Sequence, residues 1–257
     1  MASFKDKVII VTGASSGIGA AAAVHLASLG GLLVIVGRNE AKLKETADNI
    51  LAAGGVAALQ LKADMDKEAD VERIVAASLA KYGRIDVLIN NAGILERGTI
   101  ESTSLAQYDR VMNTNVRALY QLTMLATPEL VKTKGSIVNV SSVNGIRSFP
   151  GVLAYNVSKS AVDQFTRCVA LELASKGVRV NSVNPGVIVT EIHKRGGMDE
   201  ATYQQFLEHS KTTHALGRAG DVEEVAKAIA FLASDAASFT TGVNLAVDGG
   251  RHAMCPR

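Results

Sequence analysis

Short runs of continuous hydrophobicity recur along the chain, separated by longer stretches in which apolar residues return every three or four positions. The runs are Val8–Thr12, Leu32–Val36, Ala57–Lys62, Val87–Asn90, Ser136–Val140 and Val178–Val183. They are short, nearly unbroken and rich in β-branched residues, as strands buried on both faces of a parallel sheet must be. Between them, Ala41–Ala53 places Leu43, Ala47, Ile50 and Leu51 on one face and Lys42, Glu45 and Asp48 elsewhere. That spacing predicts an amphipathic helix, and Val71–Lys81 and Val222–Ala233 repeat it. Longer helical patterns cover Gln107–Ala126 and Val152–Ser175. Strand and helix in strict alternation predict an α/β, doubly wound parallel sheet with helices on both faces and right-handed crossovers.

No repeat, low-complexity tract or proline-rich linker divides the chain, so residues 1–257 read as a single domain. The rhythm breaks only at 191–220. That segment holds Gly196-Gly197, the row His193-Lys194-Arg195 and a short helical pattern at Tyr203–Ser210. An insertion after a strand's carboxyl end is the place for a substrate lid. Met198, Tyr203 and Phe206 are candidates either for a pocket wall or for covering the sheet edge.

Composition narrows the class without naming it. With 47% apolar residues and a net charge of +2, the chain is a folded globular protein rather than a disordered one. Lys and Arg are scattered, so no nucleic-acid footprint exists. No stretch is apolar enough to span a bilayer, and a strand pattern begins by Lys7, which predicts a cytoplasmic protein with neither leader nor membrane span. The two cysteines, Cys168 and Cys255, make no disulfide framework. Cys168, within a helical pattern, is expected to be a small core residue. The histidines His25, His193, His209, His214 and His252 lack the company that zinc requires, and no metal site is expected.

Directly after the first strand comes Thr12-Gly13-Ala14-Ser15-Ser16-Gly17-Ile18-Gly19, followed by an alanine-rich helix. Gly13 permits a sharp turn, Gly17 lets backbone N–H groups approach a pyrophosphate, and Gly19 lets helix and strand pack closely. The helix N-terminus then offers unpaired donors to the anion. The second strand ends Val36-Gly37-Arg38-Asn39. A site selective for NAD wants a carboxylate there for the adenosine ribose. Gly37 supplies none, while Arg38 suits a 2′-phosphate; a plain solvated turn residue is the lesser reading.

Tyr155 and Lys159 stand four apart on one helix face, an arrangement able to tune a phenol by a neighbouring ammonium. Alone, the pair is also what an amphipathic surface helix shows. Ser142, at the carboxyl end of the strand Val138-Asn139-Val140-Ser141-Ser142, precedes Tyr155 by thirteen residues (155 − 142). The chain also carries Asn90-Asn91-Ala92-Gly93 after the fourth strand, Asn115 within Met112–Val116, and Pro185-Gly186 followed by Ile188 and Thr190. It closes with Leu232–Asp235, Thr241-Gly242 and Val247-Asp248-Gly249-Gly250.

In this order and spacing the motifs resemble the short-chain dehydrogenase/reductase family from about Lys7 to Gly250, with similarity to 3-oxoacyl-carrier-protein reductases and hydroxysteroid dehydrogenases. The resemblance implies a Rossmann-type sheet of about seven strands and interconversion of a secondary alcohol and a carbonyl. It implies Tyr155 as general acid or base, with its pKa lowered by Lys159 and by an oxidised nicotinamide. Ser142 polarises the substrate oxygen, and the backbone of Asn115 holds a water on the lysine. Cofactor binding falls to Gly13, Ser15, Ser16, Gly17, Ile18, Gly19, Arg38, Asn39, Asp64, Asn91, Ala92, Gly93, Tyr155, Lys159, Pro185, Gly186, Ile188 and Thr190. Asp64 would meet the adenine amino group; as a sequence feature it also suits an N-cap before Lys67–Lys81.

NADP(H) is the expected cofactor, with NAD(H) and oxidative alcohol chemistry as the alternative. A nucleotide-sensing or scaffold protein without chemistry is a third reading, opposed by the joint presence of Asn115, Ser142, Tyr155 and Lys159. Gly145, Phe149, Val152 and Leu153 hint at an apolar substrate pocket. A homotetramer or dimer through Gln107–Ala126 and Val152–Ser175 is expected, and the tail from Arg251 would either join an interface or fray.

Overall fold

A computed structural model describes residues 3–254; Cys255 and the end of the tail lie outside the described residues. One sheet holds seven parallel strands: β1 (Val8–Thr12), β2 (Leu32–Gly37), β3 (Leu59–Lys62), β4 (Val87–Asn90), β5 (Ser136–Val140), β6 (Arg179–Pro185) and β7 (Asn244–Val247). Their order is β3-β2-β1-β4-β5-β6-β7. The direction of winding reverses between β1 and β4, so a crevice opens at their carboxyl ends. The helices are α1 (Gly17–Ser28), α2 (Glu40–Ala52), α3 (Glu68–Tyr82), α4 (Leu105–Met112), α5 (Ala118–Thr133), α6 (Val143–Ile146), α7 (Leu153–Ala174), α8 (Ile192–Arg195), α9 (Glu200–Thr213) and α10 (Val222–Ala233).

Alternation along each strand divides the apolar residues between two cores. Ile9 and Val11 of β1, with Leu33 and Ile35 of β2, join the core that includes Ala22, Ala23 and Leu26 of α1 and Val225 and Ile229 of α10. Val8 and Ile10, with Val34 and Val36, join the opposite core with Ile74 of α3, Leu122 of α5 and Leu173 of α7. Each such Ile or Leu contributes about 1.5–3 kcal/mol by leaving water, which is why both faces demand unbroken hydrophobic runs.

The buried strands also carry asparagines whose side-chain amide nitrogens are paired, although Asn90 Oδ1 is buried without a partner among the described residues. Asn90 Nδ2 donates to Thr123 Oγ1 at 3.0 Å and to Asn139 Oδ1 at 2.9 Å. Asn139 Nδ2 donates in turn to Thr166 Oγ1 at 2.9 Å.

Several boundaries differ from the sequence reading. The third strand starts at Leu59, not Ala57. The helix expected over Gln107–Ala126 is interrupted by a π-helical turn at Asn113–Arg117. Such a turn inserts one extra residue into the helix and is frequent at functional sites; here it carries Asn115. Cys168 is exposed rather than in the core, because it lies on the outward face of α7. The segment 191–220 is an excursion with a pinned neck: Val189 N–H donates to Gly220 O at 3.0 Å, and Gly220 N–H donates to Val187 O at 2.8 Å. Among the described residues no helix is long and apolar enough to cross a membrane.

Candidate active site

A cleft of about 970 Å³ lies along the carboxyl ends of the strands. Every residue singled out above for catalysis or cofactor binding lines it except Gly19 and Asn115. Those two lie just beneath the surface, and each shapes what does line it.

At one end the glycine-rich turn is held from below. Thr12 Oγ1 accepts the backbone N–H groups of Asn91 and Ala92, both at 3.0 Å. Asn91 Nδ2 returns bonds to Thr12 O at 2.9 Å and Gly13 O at 3.2 Å. Asn91 therefore braces the turn. Gly13 has φ +65°, and a Cβ there would approach Ala92 Cα to 2.9 Å. Gly17, at φ +57°, would bring one within 3.2 Å of Thr190 Cγ2. Ser16 precedes α1 without using its side chain as a cap, so the first N–H groups of the helix keep their donors. An uncapped helix terminus behind a glycine cradle fits a dinucleotide pyrophosphate.

Beyond the turn, Gly37 lies against Ser15: a Cβ at Gly37 would meet Ser15 Oγ at 3.1 Å and Leu43 Cδ2 at 3.3 Å. Arg38 and Asn39 are exposed on the rim. Asn39 Oδ1 accepts the Lys42 N–H at 3.0 Å and so caps α2. Asp64 lines the cleft but does not cap α3, whose N-cap is Lys67. Asp64 Oδ1 instead accepts the Asp66 N–H at 3.3 Å within its own turn, and the Asp64 N–H donates to Asp70 Oδ2 at 2.8 Å.

At the other end Ser142, Tyr155 and Lys159 converge. Tyr155 is 7% exposed and Lys159 5%, which rules out the surface-pair reading. Lys159 Nζ lies 5.6 Å from the Tyr155 ring centroid and donates to Val140 O at 2.8 Å. Ser142 Oγ accepts the Asn144 N–H at 3.1 Å, so the serine is fixed at the start of α6.

The electrostatics run opposite to the expected lowering of the tyrosine pKa. Burial pushes Tyr155 up to about 12, opposed by its hydrogen bond with Ser142. Burial pulls Lys159 down to about 8, opposed by the Asp163 carboxylate. Inside the protein alone, desolvation outweighs the ammonium's effect on the phenol.

Asn115 acts on this centre through its side chain. Its Oδ1 accepts the Ile94 N–H at 2.8 Å, and its Nδ2 donates to Ile94 O at 2.9 Å and to Ser158 Oγ at 3.0 Å. A Cβ on Gly93 would sit 3.2 Å from Asn115 Oδ1 and 3.6 Å from Lys159 Nζ. Gly93 thus keeps open the space those two groups share.

Two buried residues behind the cleft escape the motif reading. Asp163, one turn beyond Lys159, is buried and accepts Asn184 Nδ2 at 3.0 and 2.9 Å on its two oxygens. Its place on the Tyr155–Lys159 face is visible in the spacing. His214 is buried too; its Nε2 accepts the Val187 N–H at 3.1 Å while Nδ1 donates to Ser210 O at 3.0 Å. These bonds fix a neutral tautomer, and burial lowers its pKa accordingly. A Cβ on Gly186 would strike His214 Nε2 at 2.8 Å, so only glycine admits the ring.

Over this end, Phe149, Val152, Met198 and Phe206 line the cleft, whereas Gly145 and Leu153 do not. Gly145 packs on Asp163 instead. Tyr203 is buried against the excursion's base, where its hydroxyl accepts the Thr190 N–H at 3.2 Å and donates to Thr190 O at 3.0 Å.

A parallel sheet of this winding, a glycine cradle at its switch point and a buried Ser–Tyr–Lys group define an NAD(P)-linked oxidoreductase. A family model described as enoyl-(acyl carrier protein) reductase matches residues 13–252. The chain is 38% identical over 250 residues to a meso-2,3-butanediol dehydrogenase of Serratia marcescens, covering 96% of this chain and 95% of the relative. It is 37% identical over 255 residues to a 3-oxoacyl-[acyl-carrier-protein] reductase of Synechocystis, covering 97% and 98%. The structure of 3-ketoacyl-(acyl-carrier-protein) reductase from Brucella melitensis complexed with NADH superposes with a TM-score of 0.88 at 35% identity, covering 97% of this chain and 100% of that one. The chain belongs to the short-chain dehydrogenase/reductase family, whose members act on alcohols and ketones with NAD(P).

Proposed function

We propose that the protein is an NADP(H)-preferring reductase of ketones, working in the cytoplasm with Tyr155 as the proton donor. The observation that carries this reading is the convergence of Ser142, Tyr155 and Lys159 at one end of the cleft whose other end is the glycine cradle. The bound dinucleotide supplies the hydride. Tyr155, fully protonated at neutral pH, gives its proton to the carbonyl oxygen as that oxygen gains charge. Ser142 donates to the same oxygen and polarises it. Lys159 stays close enough to stabilise the phenolate left behind, and Asn115 keeps the lysine's surroundings in place. Lys159 would also hold the nicotinamide ribose, and Pro185, Gly186, Ile188 and Thr190 the nicotinamide. Residues 191–220 serve as the lid.

The preference for NADP(H) rests on Gly37 and Arg38. No carboxylate stands at the end of β2, and Arg38 is free on the rim to meet a 2′-phosphate. Calorimetric titration of both reduced dinucleotides into wild type and Arg38→Ala tests it: the preference for NADPH should collapse in the variant. Equal binding of NADPH and NADH by the wild type would sink the assignment.

Assembly through α5 and α7 is supported by apolar residues standing in water on them, Tyr120 at 57%, Met124 at 56% and Val157 at 41% exposure. A patch of that kind marks an interface; a sedimentation experiment with Met124→Glu, expected to dissociate the assembly, tests it.

A further inference from the structure

The charges along the substrate end of the cleft do not balance. Arg97, Arg195, Arg251 and His193 line it, with Glu96 and Glu191 as the carboxylates beside them. Glu96 is already committed, holding Arg110 in a two-pronged pair at 3.0 and 2.8 Å. Glu191 faces Lys194 at 3.7 Å. Asp248, close to Arg251 in the chain, accepts the N–H of Gly250 at 3.0 Å, the N–H of His252 at 2.7 Å and His252 Nδ1 at 2.8 Å. The three arginine heads have no ion pair among the described residues.

Arg251 is the informative member. It is half-buried, and its guanidinium lies over the Phe149 ring, 4.5 Å from the centroid. Contact with the ring uses none of the guanidinium's N–H donors. A partly desolvated cation with unused donors is costly unless an anion completes it. His193 feels the same field: burial first, then Arg251 and Arg97, hold its ring neutral, and it lies tilted against Phe206 with ring centroids 4.6 Å apart. The surrounding wall is apolar, through Phe149, Met198 and Phe206.

From this we infer that the ketone substrate is an oxo acid, its apolar body lying between Phe149 and Phe206 and its carboxylate taken by the edge of Arg251, with Arg97 and Arg195 adding positive field at the mouth. This rests on the ketone-reducing reading of the same cleft. A planar carboxylate matches a guanidinium edge with two parallel hydrogen bonds, which a neutral ester cannot reproduce.

The test is binding, not turnover. Levulinate, oxohexanoate and their methyl esters are titrated into the enzyme saturated with oxidised dinucleotide, where the ketone cannot react. At least one acid should bind about tenfold tighter than its ester, the scale of one charge-assisted pair. Arg251→Met should erase that ratio, and Arg251→Lys should restore part of it, since a point charge without the fork keeps attraction and loses geometry. Dinucleotide affinity of each variant reports that it is folded. Esters binding as tightly as acids, or a ratio unmoved in Arg251→Met, would overturn the inference. Failure of the ketone-reductase reading would look different: acids would still bind, but no ketone would oxidise the reduced dinucleotide.

Discussion

His214 Nε2 and the backbone N–H of Val187 are joined at 3.1 Å, which ties the end of α9 to the loop that follows β6. The imidazole is buried, so the bond competes with little water and its loss leaves an amide unpaired. His214→Ala should weaken dinucleotide binding about five- to tenfold, the effect of roughly 1–1.5 kcal/mol. His214→Gln, which retains an acceptor, should recover part of it. Fluorescence titration of the reduced dinucleotide checks both, and an alanine variant with wild-type affinity would remove His214 from the site.

Tyr155→Phe deletes the proposed proton donor while keeping the ring. Turnover should fall by roughly two to four orders of magnitude, the usual scale for a positioned acid, with dinucleotide affinity retained. In the wild type the tyrosine, at about 12, stays protonated across the accessible range, whereas Lys159, at about 8, does not. Reduction needs the ammonium, so kcat/KM should decline as pH rises through about 8. A profile flat to pH 10 would contradict that role for the lysine.

Gly37→Asp places a carboxylate where NAD-selective sites want one. Preference should shift toward NADH. Because the new Cβ meets Ser15 Oγ at 3.1 Å and Leu43 Cδ2 at 3.3 Å, stability should also drop, by about 1–2 kcal/mol. Denaturant titration beside cofactor kinetics separates the two effects.

Acid should destabilise the fold through two histidines, His214, which is buried, and His193, which is half-buried. Folded His193 has its pKa lowered from 6.5 to about 4, and His214 is lowered as well, both mainly by burial. Below about pH 6.5 the unfolded chain takes up protons that the folded chain refuses. The stability these residues contribute is therefore complete above that pH and is lost as pH falls from about 6.5 toward 4, by on the order of 3 kcal/mol for His193. Unfolding free energies at pH 7.5 and 5 should show the drop, and His193→Phe should flatten it.

Most of the scaffold was legible because a two-sided parallel sheet forces unbroken apolar runs. Val8–Thr12 and Ser136–Val140 coincide with β1 and β5. β7 was legible only by resemblance, since Asn244–Val247 is an edge strand, half-buried throughout. The exposure of Cys168 is not legible, because helical spacing alone does not say which side of α7 faces inward. The glycine cradle reads from its place between a strand and a helix, whereas the Ser–Tyr–Lys group reads only through its resemblance to the family's spacing. His214 and Arg251 could not be read in either way, because their roles come from approach across the fold. Consecutive left-handed glycines, Gly249 at φ +57° and Gly250 at +81°, turn the chain so that Arg251 comes to rest on Phe149. No periodicity in the sequence announces such a contact.

The double hydrogen bond between the Tyr203 hydroxyl and the backbone of Thr190 makes α9 and the loop after β6 a single mechanical piece. Whatever displaces Thr190 must also move the Tyr203 end of α9. If the loop after β6 holds the dinucleotide and α9 shields the ketone, as proposed above, occupancy at Thr190 should be felt at α9, and product-inhibition patterns should show dinucleotide binding before ketone.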